Sequence, residues 1–370
     1  MIDCYCARMI LSALPQFGPV SIGRLAEVYA GRLEDVFTAS EEELRLVLSP
    51  DKVRALQQWQ RTFDLDRERV LLERYKADYR IPGDAGYPEG LRQMADPPVG
   101  LYVRGQGAAV ENAIAIVGTR HVSQYGRKWT RAFARELAAA GFVVVSGLAR
   151  GVDTEAHRAV LEAGGQTAAV LGSGLDQLYP PENRELAEAV ANSAGVWTEF
   201  YFGRKADRQT FPQRNRIVAG MCRATVVIES GERGGSLITA RFTMEQGKTV
   251  FALPGRVDSP TSVGCHRLIQ DGASLVTSVD DVLQAMNYEN HQLSLSLERP
   301  ARGREPDPSL KLSPEEWAVL KTLEEGEFKH ADQICDECGL QTHAVATALM
   351  LLEIKGLVSK HLDGCYERAY

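Results

Sequence analysis

The sequence predicts an α/β fold: a parallel sheet with helices on both faces, preceded by a small helical unit and followed by a three-helix unit with a wing. Three observations carry this. Short apolar runs, AIAIVG (113–118), FVVVSG (142–147) and TAAVLG (167–172), alternate with amphipathic segments, the mark of strands buried on both faces and joined by helices. Residues before them place apolar side chains at helical spacing. A stretch mixing Asn, Ser, Pro and Arg at 287–310 sets residues 311–370 apart.

Residues 1–80 read as helical. The opening MIDCYCARMILSALPQ lacks the basic region and small-residue cleavage site of a signal peptide and reads as a first helix. No apolar run reaches the length of about eighteen residues that a membrane helix needs, so the expectation is a cytoplasmic protein without a membrane span. LPQFGPVSIGRLAEVYA sets two short helices around a Gly-Pro turn, as in a helix-hairpin-helix or SAM-like unit. As a single copy it is read as a protein-contact or structural element.

The middle block, 81–286, continues its alternation. YGRKWTRAFARELAAA (125–140) and VDTEAHRAVLEAG (152–164) are helices; VWTEF, ATVVIES and TVFALPG are further strands, with the helix ITARFTMEQG between the last two. Short loops between such units give a parallel sheet, whose ligands bind beyond the carboxyl ends of its strands. Residues 287–310 are read as a linker. Within 311–370, LSPEEWAVLKTL, FKHADQICDECG and QTHAVATALMLLEIKG are helical and LVSKHLDGCYERAY is a two-stranded wing. The candidate recognition helix, 342–355, offers only His343 and Lys355 as cationic groups, and the segment carries 6 basic against 11 acidic side chains. Phosphate repulsion therefore favours a protein-contact role over duplex reading.

Charge and glycine point to the site. The chain is 44% apolar and 25% charged, ordinary for a globular protein, with a net charge of −7. That charge is uneven. Residues 203–223 hold Arg204, Lys205, Arg208, Arg214, Arg216 and Arg223 against Asp207 alone, a footprint for an anionic partner. Four strand ends are glycine-rich: Gly118-Thr119-Arg120, Gly147 to Gly151, Gly172-Ser173-Gly174 and Gly231 to Ser236. Glycine lets a ligand approach the backbone, and the helix N-termini that follow offer free N–H groups. Arg120 and Arg150 project from the same rim, so phosphate, or several phosphates in a row, is the ligand expected. In FPQRNR, Arg214 and Arg216 can fork onto phosphate oxygens, Asn215 can meet a base edge or sugar, and Phe211 can stack on a base. The competing reading makes Phe211 and Ile217 core and pairs the arginines with Asp153 or Glu199.

Other chemistries lose ground. The turn GTRHVSQYG lacks the dinucleotide fingerprint, and no P-loop exists, so no cofactor is expected. The seven cysteines are scattered, and neither CYC nor CDEC has a second pair at knuckle spacing; reduced thiols and no metal are expected. Asp153 and His157 stand one helical turn apart in GVDTEAH but have no Ser or Cys nucleophile beside them. They are read as a brace.

The stretches IVGTR (116–120), SGLARGVDTEAH (146–157), GGQTAAVLGSGLDQLYPPEN (164–183), FPQRNRIVAG (211–220), GGSLITA (234–240), VFALPG (250–255) and VGCHRLIQDGASLV (263–276) resemble, in order, the bacterial DNA-processing protein A family (DprA, or Smf). The resemblance implies an extended Rossmann-like core, a SAM-like start and a winged-helix tail. It implies binding of single-stranded DNA with little sequence preference, a homodimer through the Rossmann-like domain, and protection of incoming strands and loading of RecA recombinase in natural transformation and homologous recombination. It implies no catalysis. Carried over by motif, the strand-contacting residues are Gly118, Thr119, Arg120, Gly147, Arg150, Phe211, Arg214, Asn215, Arg216, Gly235, Ser236 and Thr239. Members often have Ser where Thr119 stands and Ser-Gly-Ser where Gly234-Gly235-Ser236 stands, and EFYFGRKADRQT is less proline-rich than the family pattern. The alternative is an enzyme of the nucleotide phosphoribohydrolase (lysine-decarboxylase-like) type, whose glycine loop GGSLITARFTMEQG resembles. Ala240 stands near where its catalytic glutamate should fall, and Glu245 lies further along, so general acid–base chemistry has no actor.

Overall fold

Among the described residues, apolar and β-branched runs form a nine-stranded sheet in which the AIAIV run is the middle one of seven parallel strands. Its strands are β1 (Ala77–Arg80), β2 (Leu101–Arg104), β3 (Ala113–Val117), β4 (Val143–Ser146), β5 (Thr167–Val170), β6 (Val196–Thr198), β7 (Ala224–Val227), β8 (Thr249–Ala252) and β9 (Ser274–Leu275). They lie in the order β1-β2-β6-β5-β4-β3-β7-β8-β9. In this computed structural model the described residues are 2–107, 110, 112–286, 312–323, 329–355, 357–360 and 365–368. The linker expected at 287–310 lies outside them. Two compact units result, Met1–Glu289 and Asn290–Tyr370.

From β3 the chain steps outward through β4, β5 and β6 in parallel register, with Ile114 opposite Val144 and Val144 opposite Thr167. It then returns along the helix Thr210–Met221 and places β7 on the other side of β3, with Ile114 opposite Ala224. β8 and β9 extend that side. The order therefore reverses between β3 and β7. Pleating divides β3 between two cores. Ala113, Ala115 and Val117 face the cluster holding Ile217, Val218, Ala240 and Leu268, and Ile114 and Ile116 face Phe133, Leu137, Val152 and Val160.

The α/β expectation and its winged-helix tail are what the structure has, with one extension. β1 and β2 are antiparallel additions beyond β6, and β1 falls in the stretch read as helical. The helical start packs on this side of the sheet. Ile10, Leu14, Leu25 and Leu33 share one apolar cluster with Tyr79, Tyr102, Leu171 and Phe202. Glu68, buried on the helix Leu65–Tyr75, accepts the Phe202 amide at 3.0 Å. Burial raises its pKa, opposed by that hydrogen bond.

The second unit has the helices Pro314–Thr322, Ala331–Cys338 and Thr342–Ile354 around Val319, Leu320, Ile334, Val345, Leu349 and Leu352. Ser313 and Glu316 close a capping box on the first. The strands β10 (Lys329–His330), β11 (Val358–Lys360) and β12 (Cys365–Arg368) pair in the order β10-β12-β11. The wing thus has a third strand, which the short, charged KH pair gave no periodicity to reveal. Among the described residues no His, Cys, Asp and Glu cluster could hold a metal ion, and no helix is long and apolar enough to cross a membrane.

Candidate nucleic-acid interface

Where strand order reverses, the helices on either side of the reversal leave a crevice at the carboxyl ends of the strands. Here a cavity of about 360 Å³ opens at that point. Its lining includes Gly118, Thr119, Arg120, Gly147, Phe211, Arg214, Asn215, Gly235, Ser236 and Thr239. An adjoining recess adds Arg150 and Tyr179 and shares Arg120, Phe211 and Arg214. Eleven of the twelve positions expected from the sequence thus meet at one rim. Arg216 is the exception.

The loops after β3 and β4 are fixed from below. Thr119 N–H donates to Glu229 O at 2.8 Å, and Glu229 itself accepts from Ser123 Oγ and Thr261 Oγ1 at 2.6 and 2.9 Å. Asp153 accepts the Gly147 and Ala149 amides at 3.0 and 3.3 Å. Burial raises its carboxyl pKa, opposed first by Arg214 and then by these amides. Leu148 is held in the left-handed region at φ 55°, with its carbonyl accepting Asn183 Nδ2 at 2.9 Å. That conformation costs a non-glycine residue roughly 1–3 kcal/mol, which the clasping bonds offset. Gly151, at φ 77°, closes the loop, and a Cβ there would fall 2.2 Å from Thr119 O. His157, beneath, is fully buried and bonds Thr167 Oγ1 through Nδ1 at 2.7 Å.

The run FPQRNR lies on the helix Thr210–Met221, and this corrects the expectation that both its guanidiniums face the ligand. Residues two apart on a helix point in divergent directions. Arg214 is 5% exposed and turns toward the loops, donating from Nη1 to Gly147 O and Val170 O, each at 2.6 Å, and from Nε to Asn215 Oδ1 at 2.9 Å. Arg216, also 5% exposed, turns away and bonds both oxygens of Glu199 at 2.5 and 2.6 Å and Asp96 O at 2.6 Å. This is the Glu199 pairing of the competing reading. Asn215 is engaged as well, donating to Gly235 O at 3.2 Å.

The groups left at the mouth are fewer and better exposed. Arg120 is exposed and has no carboxylate partner among the described residues. Its guanidinium lies 4.9 Å from the centre of the half-buried Phe211 ring, and that of Arg214 lies 5.9 Å from it, both within cation–π reach. Arg150 is ion-paired with Glu182, which it holds below the usual carboxylate range, and sits 5.9 Å from the Tyr179 ring. Tyr179 stands edge-on to Phe211 at 6.3 Å. The sequence reading missed Tyr179; its signal was an exposed aromatic in a glycine- and proline-bearing loop at a strand end. Behind them the helix Gly235–Glu245 begins with no side-chain cap, so its first amides and dipole are available to an anion. A Cβ on Gly235 would meet open space. Ser236 Oγ donates to Ser230 Oγ at 2.9 Å.

For the enzyme alternative, the carboxylate in the lining is Asp153, already bonded to two amides. Ala240 is buried core, and Glu245 pairs with Arg241 at 3.3 Å on the surface.

Residues 78–287 match the family model for the DNA recombination-mediator protein A, and residues 303–364 that for the DprA winged helix domain. A protein named Smf from Synechocystis is 36% identical over 318 residues, covering 78% of this chain and 80% of its own. The X-ray structure of DNA processing protein A from Streptococcus pneumoniae aligns with a TM-score of 0.66 at 34% identity, over 76% of this chain and 98% of that one. The Helicobacter pylori protein of that name, described for its single-stranded DNA binding mode, aligns with a TM-score of 0.52 at 27% identity, over 57% of this chain and 96% of that one.

Proposed function

The chain belongs to the DNA recombination-mediator protein A (DprA/Smf) family, and on that premise we propose that it binds single-stranded DNA along the rim of its sheet, with little regard to base sequence. The observation that carries the reading is Arg120, an exposed guanidinium without a carboxylate partner among the described residues, standing over Phe211 at the mouth of a cavity floored by an uncapped helix start. Arg120 and the first amides of Gly235–Glu245 take phosphate oxygens, while Phe211 and Tyr179 offer faces and edges to unpaired bases. Arg150 joins by exchanging Glu182 for a phosphate. Thr119 and Thr239 supply hydroxyls. Arg214 holds the Gly147 loop and Phe211 from behind, and Arg216 anchors the helix; neither needs to touch the strand.

In this reading the protein is a homodimer through its sheet domain. It covers incoming strands and passes them to RecA recombinase in natural transformation or homologous recombination. It breaks no bond and needs no cofactor or metal. The test is binding of labelled single- and double-stranded oligonucleotides across a salt series, with and without RecA. A preference for single strands is expected, with log affinity falling against log salt by about 0.7 per phosphate contacted, together with faster RecA filament growth on bound strands. Equal affinity for duplex, or a salt-independent constant, would overturn it. A monomeric mass at micromolar concentration would remove the dimer.

A further inference from the structure

A second cavity, of about 330 Å³, lies between the helix Leu65–Tyr75, the loop after β5 and the helix Arg184–Ala191. The loop 171–180 serves both sites: Ser173, Tyr179 and Pro180 line the groove recess, and Leu175, Asp176 and Leu178 line this pocket. Three arginines converge on it. Arg104 is engaged, donating to both oxygens of Glu188 at 2.8 and 2.6 Å. Arg74 and Arg184 are exposed and have no carboxylate partner among the described residues. The other acid, Asp176, accepts the Gly203 amide at 2.8 Å and the Gln177 side chain at 3.0 Å. Both carboxylates therefore have donors of their own, while two guanidiniums remain open. The floor is apolar, made by Leu171, Leu175 and Val196.

We propose that this pocket is a second ligand site, distinct from the groove, that takes a nucleoside phosphate: phosphate oxygens on Arg74 and Arg184, the base against the leucine floor. Bidentate guanidinium donors match phosphate geometry, and an apolar wall beside a few polar groups is how small-molecule sites are built. A bare anion would gain nothing from the leucines, and an uncharged nucleoside would leave the arginines unused. The phosphate arrives either on a free nucleotide or as one unit of a strand that continues past the groove.

Calorimetric titration of the full-length protein tests this with dTMP, thymidine and inorganic phosphate, and with (dT)5 and (dT)20. The variants are Arg120→Ala, which disables the groove, and Arg74→Ala/Arg184→Ala, both surface changes whose folding a thermal melt verifies. For a free nucleotide, dTMP binds the parent protein and Arg120→Ala alike, at least tenfold more tightly than thymidine or phosphate, and binds the double variant at least tenfold more weakly. For a continuing strand, the double variant weakens (dT)20 several-fold and leaves (dT)5 unchanged. Inorganic phosphate binding as well as dTMP, or a double variant that changes neither dTMP nor (dT)20 affinity, would overturn the proposal. Neither result bears on whether Arg120 holds single strands.

Discussion

Arg120 and Arg216 carry the same charge and do opposite work. Arg120 stands in water over Phe211, and Arg216 lies inside against Glu199. Replacing Arg120 with Ala is expected to weaken single-strand binding alike for all sequences and to lower the salt slope by about 0.7, with the melting temperature unchanged. Replacing Arg216 with Ala leaves the half-buried Glu199 carboxylate, 13% exposed, without its guanidinium partner and is expected to cost about 3 kcal/mol in denaturant unfolding. Equal melting behaviour in the two variants would refute the distinction. His157 gives a pH test. Burial, aided by Arg214, pushes its pKa down to about 3 from 6.5. The unfolded chain binds a proton as pH falls through 6.5 and the native state does not. This share of stability is therefore whole above 6.5 and is lost toward pH 3, by about 1.4 kcal/mol per pH unit. His157→Gln should flatten that part of the curve. At this scale the sequence showed which residues carry charge. It could not show which side of the helix Thr210–Met221 each would take, because the helix is buried nearly all round and its apolar positions define no face.

The glycine-rich strand ends were legible because each follows an apolar run and precedes an amphipathic one. The bonds among them were not, since Asp153 reaching back to Gly147 and Asn183 reaching Leu148 depend on how separate turns meet. Gly147 shows how tightly they meet. A Cβ there would fall 2.3 Å from Arg214 Nη1. Gly147→Ala is expected to push that guanidinium off its two carbonyls, lower stability by about 1–3 kcal/mol and weaken single-strand binding through the displaced Phe211. Full affinity with unchanged unfolding would show that Arg214 does not position the loop. Strands β1 and β2 escaped the sequence reading for a different reason. They are short antiparallel additions at one edge, where ADYR and LYVR mix charge with apolar residues and carry no buried-strand signature.

Across the whole chain, the helical start and the sheet looked separable because each has enough apolar residues for a core of its own. The structure joins those residues in one cluster, with Tyr79, Tyr102, Leu171 and Phe202 under Ile10, Leu14 and Leu25. A protein lacking residues 1–76 is therefore expected to expose that face, bind a hydrophobic dye and scatter light at micromolar concentration; a clear, dye-silent solution would contradict the shared core. The reversal of strand order has a consequence for biosynthesis. The two central neighbours, β3 and β7, end at Val117 and Val227, and the helix that floors the crevice begins later still, at Gly235. A ribosome must therefore deliver the chain past Gly235 before the cradle is complete, although the clasps of Asp153 on Gly147 and Asn183 on Leu148 can form earlier. A nascent chain stalled before that point has no completed place for a strand, however many of its arginines have already emerged.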